Sequence, residues 1–471
     1  MLRGRNAGQK ALAGLGMALL LISGGEVSAQ TLEESLMAAY GNNPTLNAQR
    51  AATRAMDENV PRALSGYRPT ITGAASATKN AQGTITEPQT ILGTTVPATS
   101  SNTVLNQSAL SITVTQNLYN GFRTGNNTRA AETQVRQSQE TLRQTEQQVL
   151  LDATTAHMNV LRDEALLQLQ QQNVQALAAQ LKASKDRFDV GEVTRTDVAL
   201  AEAASAGARA QLIQAQAQLN TSRALYRLVI GFDPRKLSPG RPVDQLLPRS
   251  FEVAITDGTQ GHPAVVAAQY SVDYAALQVK VAEGALLPSV NAVGTLSRSN
   301  EPTTQVARQN SASIGVAATA PIYQGGAEYA AVRQAKEVLG QTRIQMDVTR
   351  DQVRAFVVQF WSQLDAAKAS IQAAQTQVNA TQVALKGVSE EYKVGQRTII
   401  DVLLAQNQLV QAQSTLVNAQ RDRVVASFAL LGAIGKLDVT TLGLQVMPYD
   451  PEIHYQQVRD NWIGLRTPDG R

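Results

Sequence analysis

Two Thr-x-x-Asp pairs, Thr194 with Asp197 and Thr398 with Asp401, are the residues whose types and spacing do the clearest chemistry. A hydroxyl three residues ahead of a carboxylate makes a capping box, in which each side chain satisfies a free backbone N–H at the start of a helix. Each pair follows a Val-Gly step, Val190-Gly191 and Val394-Gly395, which fits the left-handed residue that closes a preceding helix. What these residues offer is the tethering of turns rather than bond-making. The chain has no cysteine, and its three histidines, His157, His262 and His454, lie far apart. That excludes disulfides, thiolate metal sites and a lipid-modified N-terminal cysteine. It leaves little for metal or nucleophilic catalysis. There is no Gly-Lys-Ser/Thr phosphate loop, and the carboxylates do not converge, so neither an enzyme nor a cofactor is expected.

The elements that must hold these turns are very long. Residues 124–189 and 328–393 each run without a proline, and the return segments 194–230 and 398–434 are shorter. At about 1.5 Å per residue the long runs span about 100 Å, several times the diameter of a domain. In the last segment Leu403, Val410, Val417, Val424 and Leu431 are seven apart, as are Ala405, Ala412, Ala419, Ala426 and Ala433. A sustained heptad imposes left-handed supercoiling, and the alanine line lets a neighbour come close. A free-standing rod dimer would share such a pattern.

The chain also repeats itself. Tyr119, Gly121, Val190, Gly191, Thr194, Asp197 and Val198 recur 204 positions later as Tyr323, Gly325, Val394, Gly395, Thr398, Asp401 and Val402. Asn43-Pro44 corresponds to His262-Pro263 at a larger offset, so the first copy carries about fifteen extra residues before Tyr119. The organisation expected is a first repeat over 30–231, a linker over 232–262, a second repeat over 263–435 and a C-terminal segment over 436–471. The tail from His454 onward matches no usable pattern and is left open to disorder.

Each repeat holds two strand-like runs, about 69–78 and 109–118 in the first and about 288–298 and 312–323 in the second. Leu110, Ile112 and Val114 alternate with Ser111, Thr113 and Thr115, the period of a two-faced sheet. Residues 79–107, rich in Thr, Ser, Gly and Asn, read as an exposed loop. A small soluble sheet is one reading. Strands of about ten residues also match a tilted bilayer-spanning strand. Four strands cannot close a barrel alone, and raw edges are prohibitive in lipid, so a membrane reading requires several copies to share one barrel.

Composition agrees with long helices packed through small residues: aromatics are 4 % and charged residues 17 %. The net charge of +4 is not gathered into a basic cluster, which argues against nucleic acid. Arg3, Arg5 and Lys10 precede an apolar run over 11–22 and a small-residue site at Val27-Ser-Ala29. Residues 1–29 therefore read as a secretory signal peptide, and the mature chain is expected outside the cytoplasm.

With these residues in view the chain resembles the TolC family of outer-membrane channel proteins. The resemblance runs from Thr31-Leu-Glu-Glu-Ser-Leu and Asn42-Asn-Pro44, through Pro321-Ile-Tyr-Gln-Gly-Gly326, to the most diagnostic stretch, Tyr392-Lys-Val-Gly-Gln-Arg-Thr-Ile-Ile-Asp-Val-Leu403. It implies a mainly α fold with a small β part: long antiparallel coiled-coil helices, and four strands per chain given to a 12-stranded barrel of a homotrimer. The barrel would sit in outer-membrane lipid of a Gram-negative bacterium, with a helical tunnel in the periplasm. The trimer would be the exit duct of a tripartite efflux or type I secretion system, fed by an inner-membrane pump through a periplasmic adaptor. Carried over residue by residue, Asp197 would hydrogen-bond Tyr392 and Thr196 would meet Arg397 to close the gate. Asp401 would form an acidic ring, and Leu404 stands where the family has a second acid. Val190, Gly191, Thr194, Val394, Gly395 and Thr398 would form the adaptor-docking tips. A soluble periplasmic coiled-coil scaffold is the alternative, sharing the helices but lacking lipid-facing strands.

Overall fold

The computed structural model describes residues 29–91, 93–468 and 470. Almost all of the expected signal peptide lies outside the described residues. In chain order the elements are α1 (Leu32–Asn42), α2 (Pro44–Asp57), α3 (Asn59–Leu64), β1 (Thr70–Thr86), β2 (Gln89–Ile91), β3 (Thr94–Val96) and β4 (Thr99–Asn120). Then come α4 (Arg123–Asp189), α5 (Arg195–Ile230), α6 (Phe251–Gly261), α7 (Pro263–Gly284), β5 (Ser289–Thr303) and β6 (Val306–Thr319). The chain ends with α8 (Ala327–Lys393), α9 (Ile399–Ala433) and α10 (Pro451–Val458). Helices α4 and α8 each run for 67 residues. Each packs against its return helix, α4 on α5 and α8 on α9.

Helix starts show why the duplicated sequence folds twice the same way. Thr31 and Glu34 form a capping box for α1. Proline opens both α2 and α7, where its missing N–H costs nothing. Ahead of Pro44, the Asn43 carboxamide oxygen accepts from the Thr45 and Leu46 N–H groups at 2.9 and 3.2 Å. Ahead of Pro263, His262 does the same work: its Nδ1 accepts from the Ala264 N–H at 3.1 Å. An acceptor nitrogen must stay unprotonated, and burial pushes the His262 imidazole down to about 4. The unfolded chain therefore binds a proton below about pH 6.5 that the folded chain refuses until about pH 4. Stability is full above that window and falls through it, by roughly 3 kcal/mol. His262→Asn, which copies the first repeat, is expected to keep the cap and to flatten the fall in melting temperature between pH 7 and pH 4.

The sheet differs from expectation in length. It is four-stranded and antiparallel in the order β1-β4-β5-β6. Residues 79–107 are not a loop: β1 and β4 stay in unbroken register from Thr70↔Thr115 to Thr86↔Thr99, and β2 and β3 form the tip of the same hairpin. The Thr-rich composition that suggests a loop also suits a pleated surface, because threonine is β-branched. Strand β6 begins earlier and ends earlier than the 312–323 expected, because the β5 hairpin turns at 304–305 and Ala320 and Pro321 fall outside the ladder.

Paired residues share a face in an antiparallel ladder, so the register sorts the side chains. One face carries Ile71, Leu110, Ile112, Val114, Leu296 and Ile314. The other carries Thr72, Ser111, Thr113, Thr295, Ser297 and Ser313, with Ser297 and Ser311 hydroxyls 2.6 Å apart. The apolar side chains stand in the open, Ile314 at 92 % exposure. Strands β1 and β6 each have one unpaired edge.

Where the sheet meets the helices the two repeats touch backbone to backbone. A Cβ at Gly121, whose φ is +67°, would strike the Gly284 carbonyl oxygen, and a Cβ at Gly284 would strike that of Gly121. No other residue fits this crossing.

The main apolar core lies midway along the helices. There α1, α6, residues 237–247 and residues 437–449 wrap the α4, α5, α8 and α9 bundle, burying Leu36, Leu150, Tyr226, Leu430, Leu431 and Leu437. His157 is wholly buried in this belt. Its Nδ1 lies 2.9 Å from the Ser35 hydroxyl and its Nε2 3.0 Å from the Ser238 carbonyl, while Ser35 also meets the Tyr226 hydroxyl at 2.9 Å. The network ties α1, α4, α5 and the 232–250 segment together. Buried Asp163 holds Arg162 and the Ser222 hydroxyl, linking α4 to α5 lower down.

The start of the tail, whose order the sequence leaves open, is ordered. Helix α10 packs on α2: His454 Nδ1 is 2.7 Å from the buried Asp57 carboxylate, and Arg459 pairs with Glu132 of α4 at 3.5 Å. Beyond it the Arg68 guanidinium reaches the Asn461 carbonyl at 2.8 Å and lies over the Trp462 ring. These partners are scattered over α2, α4 and residue 68, so the tail shows no local pattern of its own.

Candidate functional site: the paired helical tips

At the far end from the sheet, α4 turns into α5 and α8 into α9. The Gly191 N–H donates to the Phe188 carbonyl, and Glu192 N–H to Arg187, both at 2.9 Å. Gly395 and Gln396 repeat these bonds to Tyr392 and Glu391 at 3.1 and 2.9 Å. Gly191 and Gly395 have φ of +79° and +78°, the left-handed closure expected of a helix end. Both capping boxes form. Asp197 Oδ2 accepts from the Thr194 N–H at 2.9 Å and its hydroxyl at 2.8 Å. Asp401 Oδ2 accepts from Thr398 in the same way at 3.0 and 2.9 Å. The Thr398 bonds hold the Asp401 carboxyl below the usual range, with the nearby Arg397 charge adding to the effect.

In each tip an ion pair ties the loop to the end of its long helix, and the polarities are reversed. Arg187 ends α4 and pairs with Glu192 in its loop at 2.9 Å. Glu391, at the equivalent place in α8, pairs with Arg397 in its loop at 2.8 Å. Each pair raises its arginine's affinity for the proton.

The tips meet through Arg187 and Tyr392. The Arg187 guanidinium lies 5.0 Å from the centre of the Tyr392 ring. The Tyr392 hydroxyl sits beside that guanidinium, out of water and without a well-formed hydrogen bond. Within one protomer Asp197 does not bond Tyr392, since its carboxylate is committed to Thr194, and Arg397 does not meet Thr196, since it is held by Glu391. Thr196 is exposed. Arg187 and Glu192 are residues the sequence reading missed as contacts. The available signal was charge reversal between the copies, Arg187 against Glu391, 204 positions apart.

Val190 and Val394 each stand 71 % exposed at the outermost point of their tips. Leu404, one turn beyond Asp401's position in α9, is exposed at 55 %. Among the described residues no cluster of His, Asp and Glu could hold a metal ion, and no helix is long and apolar enough to cross a membrane.

Comparison with known proteins decides the family. The model of the outer membrane efflux protein family matches residues 36–231 and 255–436. The chain belongs to the outer membrane efflux protein family. It is 44 % identical to the outer membrane efflux protein BepC of Brucella suis biovar 1, over 98 % of this chain and 99 % of that one. It is 28 % identical to the outer membrane protein TolC of Vibrio cholerae, over 65 % of this chain and 72 % of that one. The fold is similar to the crystal structure of the CmeC outer membrane channel of Campylobacter jejuni, with a TM-score of 0.74 at 15 % identity, covering 91 % of this chain and 89 % of that one. The family is one of outer-membrane efflux proteins, not of enzymes. The chain's long helices and strand pairs have the fold of these channels.

Proposed function

We propose that three copies of the chain close one 12-stranded barrel in the outer membrane and continue as a single helical tunnel, the exit duct of a tripartite efflux or type I secretion system. The observation that carries this is the sheet. One face is apolar and exposed, the other is lined with Thr and Ser, and both edges are raw. A soluble scaffold has no use for such a face, and lipid tolerates it only when the edges are sealed. Three-fold closure seals them with sister strands and leaves the hydroxyl-rich face around a water-filled pore.

The tips are the gate and the docking surface. Exposed Val190 and Val394, on turns made rigid by their caps, offer a periplasmic adaptor two small apolar knobs per copy. Energy comes from the inner-membrane pump. The reversed ion pairs give each tip a complement in the other, so Asp197, Thr196, Tyr392 and Arg397 become mutual contacts where tips crowd around the three-fold axis. Asp401 and Leu404 line the constriction, with Leu404 adding an apolar ring.

Removing Asp197 breaks the capping box that opens α5. Removing Arg397 leaves Glu391 without its partner. Asp197→Ala with Arg397→Ser is expected to raise single-channel conductance in planar bilayers. Unchanged conductance would remove the gating assignment. The Asn42-Asn-Pro44 start favours type I secretion as the cargo route, and a deletion strain scored for both antibiotic sensitivity and missing secreted proteins decides between the two.

A further inference from the structure

The sheet segments, residues 69–122 and 288–326, contain three cations, Lys79, Arg298 and Arg308, and two acids, Glu87 and Glu301. The register puts all three cations on one face. Arg298 is paired with Leu110 and Asn310, Arg308 with Asn300, and Lys79 with Asn106, and each of these shares the face of Ile112, Leu296 and Ile314. They occupy successive outward rows just beyond the apolar band, on the side away from the helices. Nothing charged stands within the band itself.

The other limit of the band is aromatic. Tyr67, Phe122 and Tyr323 are exposed where the strands join the helices, and Phe122 meets Tyr119 edge to face at 5.3 Å. Aromatic girdles mark membrane interfaces. Ten residues separate Asn120 from Leu110. At about 3.3 Å per residue and a tilt of about 40° this is about 25 Å, the height of the apolar band of an outer-membrane barrel. The cations therefore fall at the outer headgroup level.

Their pairing within the protomer is sparse. Among the described residues Arg298 and Lys79 make no hydrogen bond or ion pair, and Arg308 reaches only the Asn300 side-chain oxygen at 3.3 Å. Of the two acids, Glu301 is turned to the Asn106 backbone N–H at 3.2 Å, and Glu87 follows the end of β1 at the hairpin tip. A guanidinium left unpaired at the edge of lipid calls for an anion with fixed height, and phosphate suits its forked donors.

Resting on the three-copy barrel above, we propose that Lys79, Arg298 and Arg308 form a collar that binds the phosphate groups of the outer-leaflet lipid. Barrel closure sets β6 of one copy beside β1 of the next, so Arg308 and Lys79 approach each other around the rim and the collar is continuous. The acyl chains of the same lipid lie along Ile112, Leu296 and Ile314 below.

The test uses the full-length protein in detergent, with bisphosphorylated lipid A as the probe and native mass spectrometry as the readout. Each basic residue near an anionic surface contributes about five-fold. The triple variant Lys79→Gln, Arg298→Gln, Arg308→Gln is thus expected to bind about 100-fold more weakly, while the Arg298→Lys, Arg308→Lys variant retains most of the binding. Dephosphorylated lipid A is expected to bind the native protein as weakly as the triple variant binds the phosphorylated form. Equal binding by native and triple variant overturns the collar, and so does displacement of lipid A by inorganic phosphate, which would make this a small-anion site. Conductance in planar bilayers separates the two levels of the proposal. Channels from both proteins with equal lipid binding defeat the collar alone, whereas no channels from either defeat the barrel reading and the collar with it.

Discussion

Ile314→Arg is expected to abolish the membrane-assembled oligomer, and Ser313→Arg, one residue away, to be tolerated. Ile314 stands 92 % exposed, level with Val114 and Ile71 on the apolar face, near the middle of the band between the aromatic and basic levels. An arginine at the bilayer midplane of a barrel costs about 2–4 kcal/mol. Three copies multiply this to about 6–12 kcal/mol, comparable with the whole stability of a folded domain. Ser313 points to the hydroxyl-lined face, where water reaches it and the same charge changes only the pore. Detergent extraction of outer membranes, followed by sizing of the oligomer, reads both variants. Equal loss from the two would mean that neither face is wet. Equal tolerance would mean that neither meets lipid.

The second large effect is expected from Arg187→Ala. In the protomer the Arg187 guanidinium lies over the Tyr392 ring at 5.0 Å and links the two tips. A cation–π contact at an exposed site is worth about 0.5–1 kcal/mol. A gate that opens with three-fold symmetry breaks three of them together, about 1.5–3 kcal/mol. That shifts the closed–open balance roughly 10- to 150-fold. The open fraction in single-channel recordings is expected to rise by that order. Arg187→Lys, which keeps the charge but loses the planar stacking, is expected to lie between. A closed fraction unchanged by Arg187→Ala would place the latch elsewhere.

Much of this architecture is legible in the sequence, and the reasons are local. Thr194 with Asp197 and Thr398 with Asp401 declare themselves because capping needs only a fixed three-residue spacing, and both boxes form. Gly191 and Gly395 declare themselves because the left-handed turn admits little else. The long helices follow from proline-free runs, and the two-faced sheet from the alternation at Leu110, Ile112 and Val114. What stayed hidden depends on distant partners. The strand length over 79–107 is set by register between β1 and β4, which composition does not reveal. The docking of α10 rests on His454 meeting Asp57, 397 positions away. The tip contact of Arg187 with Tyr392 joins residues of different repeats, and the pairings carried over from the family are replaced in the protomer by bonds within each tip.

The central claim is that the raw edges of β1 and β6 are sealed by sister copies. The chain has no cysteine, so introduced thiols report without background. Cysteines are placed pairwise on the two edge strands, with Thr70, Thr72 or Ala74 replaced on β1 and Ser311, Ser313 or Gly315 on β6, and the protein is oxidised in intact outer membranes. The account predicts that at least one pairing gives a covalent, closed trimer on denaturing gels that collapses to monomer on reduction. Monomer alone from every pairing, in protein that is present in the membrane, would contradict it.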